Sequence, residues 1–211
     1  MLPGAMLEVG AGEGYASTMK IIPAVWLWLF SGAVSVVDPV YPPNAIVGGT
    51  VVAQVTVAAG AVKQISILSG GEPFAGSCKK ALARWSLPSE ADGSELIVVL
   101  FRRPELSSAG SPEQKIGYSK PVELLPYPKY VVEPVYPPTG SGQGSVTLFA
   151  DVSVDGRVSG LRAVKSLGAF TDASMDAVRK WEFIPARDSR GKATASHAYI
   201  VLVFRVPVMR P

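Results

Sequence analysis

Cys78 is the only cysteine in this chain and His197 the only histidine. Brought together, they would form a thiol activated by an adjacent imidazole. Nothing in their surroundings does this: Cys78 falls in a helical stretch and reads as a small packing residue. His197 begins a strand with no nucleophile or ligand beside it and reads as a sheet residue. The two cannot supply the four ligands of a structural zinc site, nor three plus water, and one cysteine forms no intramolecular disulfide. Asp172 and Asp176 stand four apart, a spacing that could set two carboxylates on one helix face for acid–base work. A carboxylate at Asp172 is better explained by the positive end of a helix, and Asp176 by solvent. No phosphate loop, metal cluster or nucleophile–base pair is present, so the chain reads as non-enzymatic and without a cofactor.

Residues 7–14, Leu-Glu-Val-Gly-Ala-Gly-Glu-Gly, look like the glycine-rich nucleotide loop of methyltransferases. That loop needs a strand before it and a helix after it within a βαβ unit. An uncharged apolar run follows instead, and the match is read as coincidence. The net charge is +3, and Lys and Arg never occur more than two in a row (Lys79-Lys80, Arg102-Arg103, Arg179-Lys180). The clustered basic stripe of a nucleic-acid binder is missing. Apolar residues make up 48% of the 211 and charged residues 18%, enough apolar material for packed cores.

Residues 21–37 carry no charge and follow Lys20, as in a secretory signal, with Ala33-Val34-Ser35 offering small residues for cleavage after Ser35. The alternative is an uncleaved membrane anchor held by Trp26 and Trp28 at the interface. Either reading exports the chain, with translation starting at Met1 or at Met19.

The elements that would position these residues occur twice. Asp38-Pro39-Val40-Tyr41-Pro42-Pro43 returns 95 residues later as Glu133-Pro134-Val135-Tyr136-Pro137-Pro138. Phe74 and Trp85 match Phe170 and Trp181, and Leu100-Phe101-Arg102 matches Val203-Phe204-Arg205. In the second unit Val146, Leu148, Ala150, Val152 and Val154 alternate with Thr147, Phe149, Asp151 and Ser153, the period of a strand. Asp155-Gly156 predicts a tight turn, and residues 158–165 the return strand. Phe170, Ala173, Ala177, Val178 and Trp181 form one helical stripe, Thr171 is placed to cap its start, and Pro185 lies beyond its end. The last strand, about 195–206, is apolar on both faces. The first unit repeats this with strands at 50–57 and 61–68, a helix over 74–85 and a strand over 95–102. The expected fold class is α+β: two small two-layer domains, each a three-stranded antiparallel sheet with a helix packed on one face. The boundaries are 1–37 for the N-terminal extension and signal or anchor, 38–103 for a degenerate first domain, 104–131 for a linker rich in Pro, Ser and Gly, and 132–211 for the second domain. A short strand could form over 122–125.

Tyr136-Pro137-Pro138, Val154-Asp155-Gly156-Arg157-Val158, Lys165-Ser166, Ala177-Val178-Arg179-Lys180-Trp181 and Phe183-Ile184-Pro185-Ala186 together resemble the TonB C-terminal domain family. The first unit keeps Tyr41-Pro42-Pro43 and Ala81 to Trp85 but lacks Asp-Gly-Arg and Phe-x-Pro-Ala. The resemblance implies a periplasmic protein-interaction domain that takes a peptide, such as the plug of an outer-membrane transporter, as an added strand beside its C-terminal strand. Carried onto this sequence, the partner-binding residues are Tyr136 and Pro137 with Ala198, Tyr199, Ile200, Val201, Leu202, Val203 and Phe204, provided that strand lies at the sheet margin. Tyr41 and Pro42 follow less closely. The resemblance also offers a membrane-anchored energy transducer. However, residues 21–37 contain no His, and no long Pro/Lys/Glu-rich reach precedes the first unit, so a passive binding or scaffolding role fits better. An exposed apolar edge would equally serve a homodimer.

Overall fold

The structure is a computed structural model that describes residues 35–88, 91–104, 114–117 and 124–206. The Gly-rich stretch, the apolar run before Ser35 and much of the linker lie outside the described residues. Among those described, no helix is long and apolar enough to cross a membrane.

Each unit folds as expected in its local order. The first contains β1 (Gly49–Ala58), β2 (Ala61–Ser69), α1 (Phe74–Leu82) and β3 (Gly93–Phe101). The linker contributes β4 (Gln114–Lys115) and β5 (Tyr127–Val131). The second contains β6 (Gly144–Val152), β7 (Val158–Lys165), α2 (Ala169–Val178), the short strands β8 (Glu182–Ile184), β9 (Ala186–Arg187) and β10 (Ala193–Thr194), and then β11 (Ser196–Phe204). The expected turn between β6 and β7 forms around Gly156, whose φ of +81° favours glycine. A Cβ there would also sit 2.0 Å from the Phe183 carbonyl oxygen. Both helices end earlier than their apolar stripes, leaving Trp85 and Trp181 just past them. Gly168 rather than Thr171 occupies the N-cap of α2, and the Thr171 hydroxyl accepts from the Leu167 N–H at 2.8 Å.

The two units are not separate sheets. One six-stranded sheet runs β2-β1-β3-β11-β6-β7, antiparallel except at its centre, where β3 and β11 pair in parallel. This corrects the expectation of two small three-stranded domains, and the cause is visible in the sequence of the strands. Both β3 and β11 are apolar on both faces, and such strands are favoured where both faces are covered. The strand order reads the same from either end and its central pair is parallel. An axis running along those strands produces this arrangement and turns the second half over, so the two helices cover opposite faces. Ala198, Ile200, Leu202 and Phe204 pack with Phe170, Val178 and Trp181 on the α2 face. Tyr199, Val201 and Val203 pack with Cys78, Leu82 and Trp85 on the α1 face.

The linker is also more than a spacer. β4, β5 and β8 form a three-stranded sheet, and Ile116, Tyr127 and Val131 join the core that includes Leu96, Val98 and Leu100. The linker thus covers the face of β3 that α1 leaves open. The short strand expected over 122–125 begins outside the described residues, and Leu124 and Leu125 belong to no strand.

Candidate functional site

Tyr136 and Pro137 lie on the extended lead-in before β6, and Tyr41 and Pro42 on its counterpart before β1. Each lead-in is tied to its own helix by a tryptophan. Trp85 Nε1 donates to the Val37 carbonyl and Trp181 Nε1 to the Val132 carbonyl, both at 2.9 Å. Each tyrosine stands edge-on to the phenylalanine opening its helix: Tyr41 to Phe74 at 6.0 Å and Tyr136 to Phe170 at 5.1 Å. The tyrosine hydroxyls donate within their own loops, to the Val47 and Gly142 carbonyls.

The arginines cross between halves. Arg102, at the end of the first half, lies over the Tyr136 ring at 5.4 Å and donates Nε to the Pro134 carbonyl at 2.9 Å. Arg205, at the end of the second, lies over Tyr41 at 5.6 Å and donates to the Pro43 and Ala45 carbonyls. Because β3 and β11 are parallel neighbours, the residue leaving either strand reaches the other half's lead-in. The matching Phe-Arg pairs were visible in the sequence; their crossing was not.

The seven residues of the final strand are not at the sheet margin. β11 pairs with β6 through residues 196–204 and with β3 through residues 199–203. Ala198, Tyr199, Ile200, Val201, Leu202, Val203 and Phe204 are all 3% exposed or less. The condition for adding a peptide strand there is therefore not met in this structure. The first half's own strand occupies the position beside β11. The physical cause is again the two-sided apolar character of the strand, which is buried more completely at the centre of a sheet than at its edge.

Pro137 instead lines a groove of about 590 Å³ between the second lead-in and α2, with Val132, Val135, Pro138, Ala173 and Ala177 and with the charged Glu133, Asp176 and Lys180. The equivalent groove beside α1 measures about 100 Å³. Their linings differ at several equivalent positions, Lys80 against Asp176 and Ser77 against Ala173 among them. The Ser77 hydroxyl of α1 donates to the Val40 carbonyl and ties the first lead-in onto its helix. The equivalent residue in α2 is Ala173, which has no donor, and the second lead-in stands away.

The groove, its lead-in, the Gly156 turn and β11 all fall in one stretch of the chain, and that stretch has a known likeness. Residues 133–206 match the family of the Gram-negative bacterial TonB protein C-terminal. The matched residues span the second half of the sheet, and the match does not extend to the first half as a second copy. The matched family is a non-enzymatic, protein-interaction family. No curated protein matches the chain.

Outside the matched residues, the cysteine is silent. Cys78 is fully buried in the α1 core, and burial together with the nearby Glu72 charge pushes its thiol up to about 12. A thiol held there is not a nucleophile at neutral pH. His197, within the matched residues, is engaged elsewhere. Its ring stacks on Phe149 at 4.9 Å and its Nε2 meets Glu95 Oε2 at 2.9 Å. Glu95 is on β3 and His197 on β11, two residues before the paired Ile97 and Tyr199, so this pair extends the central ladder and joins the halves. A charged residue in an otherwise apolar strand was the signal that could have exposed Glu95. Asp176 is exposed and pairs with Arg179 at 2.8 Å, as a surface carboxylate does.

The Glu95–His197 pair carries a pH dependence. Burial disfavours the charged ring, and Arg162 opposes it too. The Glu95 hydrogen bond, the Glu95 charge and Asp151 outweigh them and raise the His197 pKa above its ordinary value of 6.5. A raised folded-state pKa means that the stabilisation is complete below about 6.5, the unfolded value. It is lost as pH rises through the higher folded value. Melting temperature measured across neutral to mildly alkaline pH should therefore fall more steeply in the native chain than in Glu95→Gln. Equal slopes in the two proteins would remove the pair from the account.

Proposed function

We propose that this protein is a periplasmic, non-enzymatic interaction module that holds an apolar segment of a protein partner in the groove between residues 132–138 and α2. The single observation that carries this reading is the difference between the two equivalent grooves. The one beside α2 is the larger and sets an apolar strip of Val132, Val135, Pro137, Ala173 and Ala177 among Glu133, Asp176 and Lys180, and the other is narrowed where Ser77 ties the lead-in to α1. The partner class follows from the family match, an outer-membrane transporter plug being the first candidate. The first unit, which repeats the strand–strand–helix–strand order and the tryptophan tie, is read as a diverged copy. Its strand β3 permanently fills the place beside β11 where a partner strand would otherwise add.

A second reading is favoured by the outer edge at β2. This nine-residue strand contains Ile65, Ile67 and Leu68 and only one charged residue, Lys63. Natural edges are usually blunted by charge, proline or cover. A partner strand, or β2 of a second molecule, would add there by main-chain hydrogen bonds.

Titrating the isotope-labelled full chain with a transporter-plug peptide separates these readings. Shifts at Val135, Ala173 and Ala177, abolished by Ala173→Gln, are the expected result. Shifts confined to residues 61–69 would move the function to the β2 edge. No shifts at millimolar peptide would sink both.

A further inference from the structure

Arg102 and Arg205 leave the two central strands at equivalent places, yet their surroundings differ. Arg102 is 1% exposed. Its Nη1 donates to the Arg103 carbonyl at 2.6 Å and its Nε to Pro134. The Arg103 side chain closes that corner by pairing with Glu133 at 3.5 Å. At the equivalent places in the other corner stand Val206 and Asp38, and no such bridge can form. Asp38 turns instead to the Lys165 ammonium and the Ser145 hydroxyl.

The uncovered corner is a cleft of about 420 Å³ whose lining includes Asp38, Pro39, Val40, Tyr41, Phe204 and Arg205. Among the described residues Arg205 donates through Nη1 alone, at 3.1 Å from the Pro43 carbonyl and 3.2 Å from that of Ala45. Its Nε and Nη2 have no hydrogen bond to a described residue. Those two nitrogens form the side-on fork of a guanidinium, the geometry that takes both oxygens of one carboxylate. The charge of Asp38 is paired with Lys165, and Arg205 forms no ion pair with a described residue. Val40, 73% exposed, lines the cleft, and further along the same lead-in Ile46 and Val47 are 65% and 56% exposed. Three such residues within eight positions are more than the scattered single apolar residues of an ordinary surface.

We propose that this cleft binds the C-terminal carboxylate of a peptide that ends in an apolar side chain. Arg205 grips the carboxylate, the Tyr41 ring supports the guanidinium from beneath, and Val40 with its neighbours receives the terminal side chain. The site is separate from the α2 groove and does not depend on it.

The test is fluorescence polarisation with the full chain and a labelled hexapeptide ending Val-Val-Leu. The peptide is offered as the free acid, as the C-terminal amide, and as an amide carrying Asp at the penultimate position. The free acid should bind about tenfold or more tighter than either amide, the difference a charge-assisted fork supplies. Arg205→Gln should abolish that preference, Arg205→Lys should keep only part of it, and Val40→Ser should weaken acid and plain amide alike. Melting curves verify that each variant is folded, and Ala173→Gln, which blocks the α2 groove, should leave the preference intact. Three results would overturn the proposal: equal binding of acid and plain amide, an Asp-bearing amide as tight as the free acid, or a preference that survives in folded Arg205→Gln. Absence of binding at millimolar protein would do the same.

Discussion

Trp181→Ala is expected to lower the unfolding free energy by about 3–5 kcal/mol, the range for removing a fully buried tryptophan. The side chain is 0% exposed and belongs to the core shared by α2, β11 and the linker. Collapse into the space is resisted from both sides, because Phe183 packs at 6.2 Å and the sheet behind it is paired throughout. The loss has a second part. Without Nε1 the Val132 carbonyl loses its donor, and the lead-in loses its tie to the end of the helix. Trp181→Phe separates the two contributions: it keeps most of the packing and removes the hydrogen bond, for an expected cost of about 1–2 kcal/mol. Denaturant unfolding of both variants measures this directly. A cost for Trp181→Ala below that of the phenylalanine variant would mean that the lead-in, not the core, sets stability here.

The second large effect falls on the crossing arginines. Arg102→Leu should destabilise by about 2–4 kcal/mol. The substitution orphans the buried Pro134 carbonyl and removes the cation over Tyr136. Arg205→Leu should cost less than about 1 kcal/mol, because Arg205 is partly exposed and its contacts are to carbonyls that water can reach. Sequence offers no reason for this inequality, since both arginines follow a phenylalanine at the end of an apolar strand. Equal losses in urea unfolding would show that the two corners are equivalent and would weaken the distinction on which the open cleft rests.

The local elements were legible because they depend on neighbours in the chain. The alternation of Val146, Leu148 and Ala150 gave a strand, Asp155-Gly156 its turn, and the Phe170-to-Trp181 stripe a helix with its buried side. The resemblance named Tyr136 and Pro137 as partner-binding residues, and in the structure Pro137 lines the larger groove while Tyr136 packs on Phe170. The same local patterns read as a repeated unit, to which the family match, over residues 133–206, lends no second copy. The final strand was the informative failure. An apolar strand is equally well read as an edge awaiting a partner or as a centre that already has one, and Ala198 to Phe204 carry no residue that distinguishes the two.

By itself the sequence determined which segments become strands and helices and which side chains leave water, because period and turn chemistry act over a few residues. It also contained the residues that make the assembly: two strands apolar on both faces, Arg102 and Arg205, Glu95 and His197. Only the tertiary structure decided that β3 would lie parallel to β11, that the halves would turn over about that seam, and that each arginine would reach the opposite lead-in. Those outcomes depend on which edge buries the most apolar surface when the two halves meet, a comparison between residues roughly a hundred positions apart that no local pattern encodes. The difference between a closed corner at Arg102 and an open one at Arg205 is likewise tertiary: it rests on whether Arg103 or Val206 stands across from an acidic side chain.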